Sequence, residues 1–132
     1  MAEQNTTVAP RTLTVLLVED SDDVRYLIAR ILGRDHNIDI VAEAADSASA
    51  LAAAIEHHPD VILLDVGLPG RSGLDIIPEL RRTVPGTRII VITGDHRPEL
   101  NAAVIASGAH AYVAKRDASK RLLDIMGALP SL

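Results

Sequence analysis

One stretch narrows the folds open to this chain more than any other. VILLD (Val61–Asp65) is four apolar residues in succession, closed by a carboxylate. A strand with one face in water alternates apolar and polar residues, whereas a continuous apolar run is buried on both faces, as in a parallel sheet covered by helices. LTVLLV (Leu13–Val18), ending at Glu19 and Asp20, and RIIVIT (Arg88–Thr93) have the same character. IDIVA (Ile38–Ala42) and AYVAK (Ala111–Lys115) read as two further short strands. Between the strands the apolar spacing becomes helical. Val24, Leu27, Ile28, Ile31 and Leu32 precede Gly33, which sits where a helix would stop. Ala48, Leu51, Ala52 and Ile55 share a face, with Asp46 placed as an N-cap and Pro59 beyond the end. A shorter helix forms around Leu74, Ile77 and Leu80, where Pro78 is expected to produce a kink or an early end. Two more helices run from about Pro98 to Ser107 and from about Ala118 to Leu129.

Strands alternating with helices through short loops imply right-handed βαβ units and a parallel sheet covered on both faces. Five strands best fit an α/β fold of the flavodoxin-like (βα)5 kind, a three-layer sandwich with strand order 2-1-3-4-5. Residues 1–11, MAEQNTTVAPR, lack periodicity and are expected to be a flexible lead, leaving 12–132 as one domain. At 132 residues and 48% apolar composition, the chain has enough material for one continuous core. It contains no Cys, which excludes disulfides and thiolate metal sites. No apolar run approaches the roughly 18–20 residues that cross a bilayer. The N-terminus lacks the apolar stretch of a signal peptide, so a cytoplasmic protein without membrane insertion is expected. A net charge of −5 argues against a nucleic-acid partner, whose footprint is ordinarily basic.

In an open parallel sheet the functional crevice lies at the carboxyl ends of the strands, near the switch in strand order. Strand one ends in Glu19-Asp20, strand three in Asp65, strand four in Thr93 and strand five in Lys115, while strand two ends in an uninformative AEA. Taken singly, a strand-end acid can be no more than a helix cap, and Ser21 or Asp22 caps the first helix equally well. Thr93 alone reads as a turn residue and Lys115 alone as a surface charge. Their joint placement points elsewhere. Carboxylates held close together repel one another and raise their pKa values unless a cation joins them. All are hard oxygen ligands, which favours Mg²⁺ or Mn²⁺ over zinc. A carboxylate beside such a metal is a competent phosphoryl acceptor. The metal and the Lys115 ammonium would neutralise the phosphoryl oxygens, and the Thr93 hydroxyl is placed to hydrogen-bond them.

Four blocks, in order, carry a resemblance: VLLVEDSDDVR (Val15–Arg25), VILLDVGLPGRSG (Val61–Gly73), VIT (Val91–Thr93) and GAHAYVAK (Gly108–Lys115). From about Thr12 to Leu129 the chain resembles the receiver domain of two-component response regulators, and the Asp-x-x-Leu-Pro-x-x-x-Gly loop from Asp65 to Gly73 is the most specific piece. The resemblance implies that Asp65 accepts the phosphoryl group. It implies metal binding by Glu19, Asp20 and Asp65 with the Gly67 backbone carbonyl, and phosphoryl contacts from Thr93 and Lys115. It also makes Thr93 and Tyr112 a switch pair. The expected partners are a histidine kinase or histidine phosphotransfer protein upstream, and an output protein of unknown identity downstream. Homodimerisation through helix four, strand five and helix five is a further route for the signal, since no output domain is expected in the sequence. The chain is then a phosphoacceptor switch rather than an enzyme, apart from its own phosphoryl transfer and dephosphorylation.

Two departures from the family pattern matter. Arg116 follows Lys115 where the family often has Pro, so either a trans bond or local strain is expected there. Gly67 and Gly94 flank the site without side chains, which predicts an open phosphoryl group and a quickly reversing switch. His36, His57, His58, His96 and His110 are not spaced as metal ligands and read as surface or packing residues, with His96 near the rim of the pocket. The basic groups at Arg81, Arg82, Arg88, Arg116, Lys120 and Arg121 read as solvated faces. Two rivals remain: a phosphorylation-independent receiver-like interaction module, and an aspartyl-phosphate hydrolase. The second wants Asp-x-Asp at its nucleophile, where this chain has Asp65-Val66-Gly67.

Overall fold

The computed structural model describes residues 12–94 and 97–129. The flexible lead expected over 1–11 and the rim position expected of His96 lie outside the described residues. Five strands, β1 (Leu13–Val18), β2 (Ile38–Ala44), β3 (Val61–Leu64), β4 (Arg88–Thr93) and β5 (Ala111–Ala114), form one parallel sheet in the order β2-β1-β3-β4-β5. The helices are α1 (Asp22–Leu32), α2 (Ser47–His57), α3 (Gly73–Thr83), α4 (Pro98–Ala106) and α5 (Ala118–Gly127). This is the flavodoxin-like order expected from the sequence.

The two-residue period of each strand sorts its side chains between two cores. Val15, Leu17, Val61, Leu63, Ile90, Ile92 and Val113 pack with Ile28, Ile31 and Leu32 of α1 and with Leu122 and Met126 of α5. Leu16, Val18, Ile62, Leu64, Ile89 and Val91 pack on the other face with Ala50 and Ala54 of α2, Ile76, Ile77 and Leu80 of α3, and Val104 of α4. All four residues of β3 are fully buried, which is why this strand has no polar position.

Local chemistry sets the boundaries. Ser21 caps α1, its Oγ accepting the Val24 N–H, and Asp46 caps α2 by accepting the Ser49 N–H at 2.8 Å. The α2 chain ends on His58 in the left-handed region (φ 42°), just before Pro59. Pro78 neither kinks α3 to an end nor shortens it, contrary to the sequence expectation: the helix runs eleven residues, through to Thr83. Pro78 lies exposed on the outer side, while Ile76, Ile77 and Leu80 are fully buried and fix the helix to the sheet whatever the missing N–H costs. β2 extends two residues past the expected Ala42, so that Glu43 and Ala44 pair with Leu17 and Val18. β5 stops one residue short, and Lys115 opens a 3₁₀ turn (Lys115–Asp117) leading into α5. Every described peptide bond is trans, which settles the Lys115–Arg116 bond. Where β5 begins, His110 donates its N–H to the Ile89 carbonyl (2.8 Å), and its Nδ1 accepts the Ile89 N–H (3.0 Å).

Candidate functional site

β1 and β3 are neighbours with Val18 and Leu64 in register. The next residues, Glu19 and Asp65, therefore leave the sheet side by side. Both are held by backbone bonds that continue the ladder: Glu19 N–H to the Ala44 carbonyl and Asp65 N–H to the Val18 carbonyl, each 3.0 Å. Glu19 is 1% exposed and Asp65 5%, whereas Asp20 faces solvent. One carboxylate oxygen from each of Glu19, Asp20 and Asp65 lies within 4.8 Å of the others. Lys115 reaches in from the end of β5, with its Nζ 2.8 Å from Glu19 Oε1 and 3.2 Å from Asp65 Oδ2. The fold thus brings Glu19, Asp20, Asp65 and Lys115 together.

The loop after Asp65 folds back on itself. The Gly67 N–H donates to Asp65 Oδ1 at 3.0 Å. Ser72 Oγ and the Gly73 N–H both donate to the Val66 carbonyl, at 3.0 and 3.2 Å. This brings α3 so close that a Cβ at Gly73 would lie 2.4 Å from the Asp65 carbonyl oxygen. Only glycine fits there. A Cβ at Gly67 would stand 3.6 Å from Asp65 Oδ1, in ordinary contact, and one at Gly94 would meet none of the described residues within 4 Å. From α2, the buried Ser47 hydroxyl donates to the Arg71 carbonyl and braces the loop from outside.

Thr93 ends β4 and is buried, and β5 runs beside it with Ala114 opposite Thr93 and Tyr112 opposite Val91. Tyr112 is half-buried and packs against the core shared by Leu64, Val91 and Val104. Sequence reasoning missed Arg25, Glu43, Ser47 and the reason for Gly73. Strand two does not end in an inert AEA: Glu43 Oε1 accepts from Arg25 Nε at 3.1 Å. A charged pair four residues apart on a helix is readable from sequence, but this partnership crosses to an edge strand and gives no local signal.

The electrostatics follow from burial. Desolvation pushes the Glu19 pKa upward, and the nearby Asp65 charge adds to this, against the lowering effects of Lys115 and of the Ser21 N–H. Burial also works against the Lys115 ammonium, but its hydrogen bond to Glu19 and the charge of Asp65 outweigh that penalty and raise its pKa. Glu19 Oε2 accepts the Ser21 N–H at 2.9 Å, while the buried Oε1 meets the Lys115 ammonium at 2.8 Å and no other donor among the described residues. Three carboxylates that share a single ammonium, in a donor set made wholly of hard oxygens, fit a divalent cation of the Mg²⁺ class.

An open doubly wound sheet carrying a carboxylate pocket at the ends of β1 and β3 defines a flavodoxin-like α/β protein with an acidic strand-end site. The model of the response regulator receiver domain matches residues 15–126, and the chain belongs to that family of phosphorelay signalling domains. Among curated relatives, the oxygen regulatory protein NreC of Staphylococcus epidermidis is 31% identical over 112 residues, covering 84% of this chain and 51% of that protein. The DNA-binding transcriptional activator DevR/DosR of Mycobacterium tuberculosis is 36% identical over 101 residues, covering 76% of this chain and 46% of that protein. The chain spans about half the length of these curated relatives. The signal receiver domain of the response regulator NarL from M. tuberculosis superposes with a TM-score of 0.86 at 25% identity, covering 92% of this chain and 98% of that one. Among the described residues no helix is long and apolar enough to cross a membrane.

Proposed function

We propose that Asp65 accepts a phosphoryl group from the phosphohistidine of a histidine kinase or histidine phosphotransfer protein, and that Glu19, Asp20, Asp65 and the Gly67 carbonyl hold the Mg²⁺ or Mn²⁺ that the transfer needs. The observation that carries this reading is the setting of Asp65: a nearly buried carboxylate, fixed by the Gly67 N–H, facing an ammonium and grouped with two further acids. In the transfer an Asp65 oxygen bonds to phosphorus as the N–P bond of the donor breaks. The imidazole nitrogen leaves with the electron pair and takes up a proton. A bound divalent cation supplies charge neutralisation to the phosphoryl oxygens. Lys115 is already within ion-pair distance of Asp65 and turns from Glu19 toward the new dianion. The Gly67 amide keeps the acceptor oxygen oriented.

The phosphorylated state is read through Thr93 and Tyr112 and the surface of α4, β5 and α5, either by an output protein or by a second copy of this chain. α4 suits that role, because its only buried residue is Val104. Elements attached by few buried apolar groups are those whose position shifts at least cost. The chain performs no turnover on other molecules beyond its own phosphorylation and hydrolysis. DNA binding stays with the relatives whose names carry it.

Incubation with acetyl phosphate and Mg²⁺, with Asp65→Ala as control, tests the reading. Wild type should gain one acid-stable, base-labile phosphate that the variant lacks. Absence of that phosphate would leave a phosphorylation-independent interaction module as the better description. A phospho-Asp65 lifetime of many hours would contradict the quick reversal expected from the open flanks at Gly67 and Gly94.

A further inference from the structure

Arg25 lies outside the acidic cluster, yet its guanidinium reaches three elements at once. Nη1 donates to the Glu19 carbonyl at 2.6 Å, Nε donates to Glu43 Oε1 of β2 at 3.1 Å, and Nη2 meets Asp22 at the start of α1. The Arg25 side chain is 18% exposed, against 48% for Glu43 and 89% for Asp22. Ion pairs with such exposed carboxylates contribute little to stability. Their effect is to aim the fork, and the well-shielded bond goes to Glu19. The same turn is pinned again from the backbone, where the Arg25 N–H donates to the Ser21 carbonyl (2.9 Å), and from within, where the Ser21 N–H donates to Glu19 Oε2 (2.9 Å).

We propose that Arg25 is a positioning residue for the divalent cation site: by clamping the Glu19 carbonyl to β2 and α1, it fixes the turn that presents Glu19 and Asp20. This rests on the metal reading given above. The rival role for Arg25 is simple charge compensation of Glu43 and Asp22, and the two roles predict opposite signs. If Arg25 only screens charge, removing it makes the pocket more negative and tightens cation binding. If it positions the turn, removing it loosens binding. Lys retains the charge but not the planar three-way fork, so Arg25→Lys separates the two.

The test titrates metal-free wild type, Arg25→Ala and Arg25→Lys with Mn²⁺, following the free ion by electron paramagnetic resonance. Thermal midpoints are measured in EDTA alongside. Binding should weaken about tenfold in both variants, the lower end of what loss of a ligand-orienting partner costs. The metal-free midpoint of Arg25→Lys should stay with wild type, and this variant decides the matter if Arg25→Ala does not fold. Wild-type affinity or tighter binding in Arg25→Lys overturns the proposal, as does a loss of affinity matched by a loss of midpoint. Failure of wild type itself to bind Mn²⁺ would instead sink the underlying metal reading.

Discussion

Among the described residues Lys115 is the one positive group that forms ion pairs with both buried acids, and its removal exposes what they cost. Lys115→Ala leaves Glu19 and Asp65 facing each other without a counter-charge. We expect a loss of about 1–3 kcal/mol in urea unfolding with EDTA present, shrinking when Mg²⁺ is added. Gly73 gives a second prediction. A methyl group at 2.4 Å from the Asp65 carbonyl meets backbone, which cannot rotate away. Gly73→Ala should therefore lower stability by about 1–3 kcal/mol and slow labelling by acetyl phosphate, whereas Gly94→Ala, with open space around it, should leave the midpoint unchanged. His110 supplies a pH dependence. Burial, then the charges of Arg81 and Arg88, hold its pKa below the ordinary 6.5. The unfolded chain therefore binds a proton more readily than the folded one. Stability should be full above pH 6.5 and fall as pH drops through that value toward the lower folded pKa. His110→Asn, which keeps an acceptor for the Ile89 N–H without titrating, should flatten this part of the urea-midpoint profile; an unchanged slope would assign it elsewhere. At this scale the sequence disclosed what stands at strand ends, namely Glu19, Asp20, Asp65 and Lys115. It concealed Arg25, Ser47 and the steric demand on Gly73, because each acts on a partner that only the folded chain brings near.

Elements were legible wherever a single period dominated. Continuous apolar runs located three strands and shorter, mostly apolar stretches the other two, and errors were confined to ends, where pairing decides. β2 gains Glu43 and Ala44 because Leu17 and Val18 lie beside them to be paired. β5 loses Lys115 to the 3₁₀ turn that starts the approach to α5. Pro78 shows packing overriding propensity. Its missing N–H and its ring cost a helix interior about 3 kcal/mol relative to alanine, yet three fully buried neighbours keep α3 intact. Since Pro78 is exposed, Pro78→Ala should raise stability by about 2–2.6 kcal/mol. That figure is the helix term reduced by the roughly 0.4–1 kcal/mol of chain entropy that proline removes from the unfolded state. An unchanged or lower thermal midpoint would mean that the helix has already absorbed the defect elsewhere.

For the whole molecule, the two cores share one sheet, so neither face can come apart while the other stays ordered. Backbone circular dichroism and tyrosine fluorescence should therefore report the same unfolding transition. Metal should couple to that transition. A divalent ion at ten times its Kd adds about 1.4 kcal/mol, and Asp20→Asn, altering an exposed side chain, should remove most of this increment while leaving the EDTA midpoint in place. The shared lysine has a consequence for the site as a whole. Counted as formal charges, three carboxylates and one ammonium leave two negative charges at the strand ends. A divalent cation brings that total to zero, which neither a monovalent nor a trivalent ion does. Conversion of a carboxylate monoanion into an acyl phosphate dianion then puts back a single unit of charge. On the function proposed above, the phosphorylated and unphosphorylated domains thus differ by one uncompensated electron charge beside the buried Glu19 and Asp65, a charge that neighbouring hydroxyl and amide dipoles can answer.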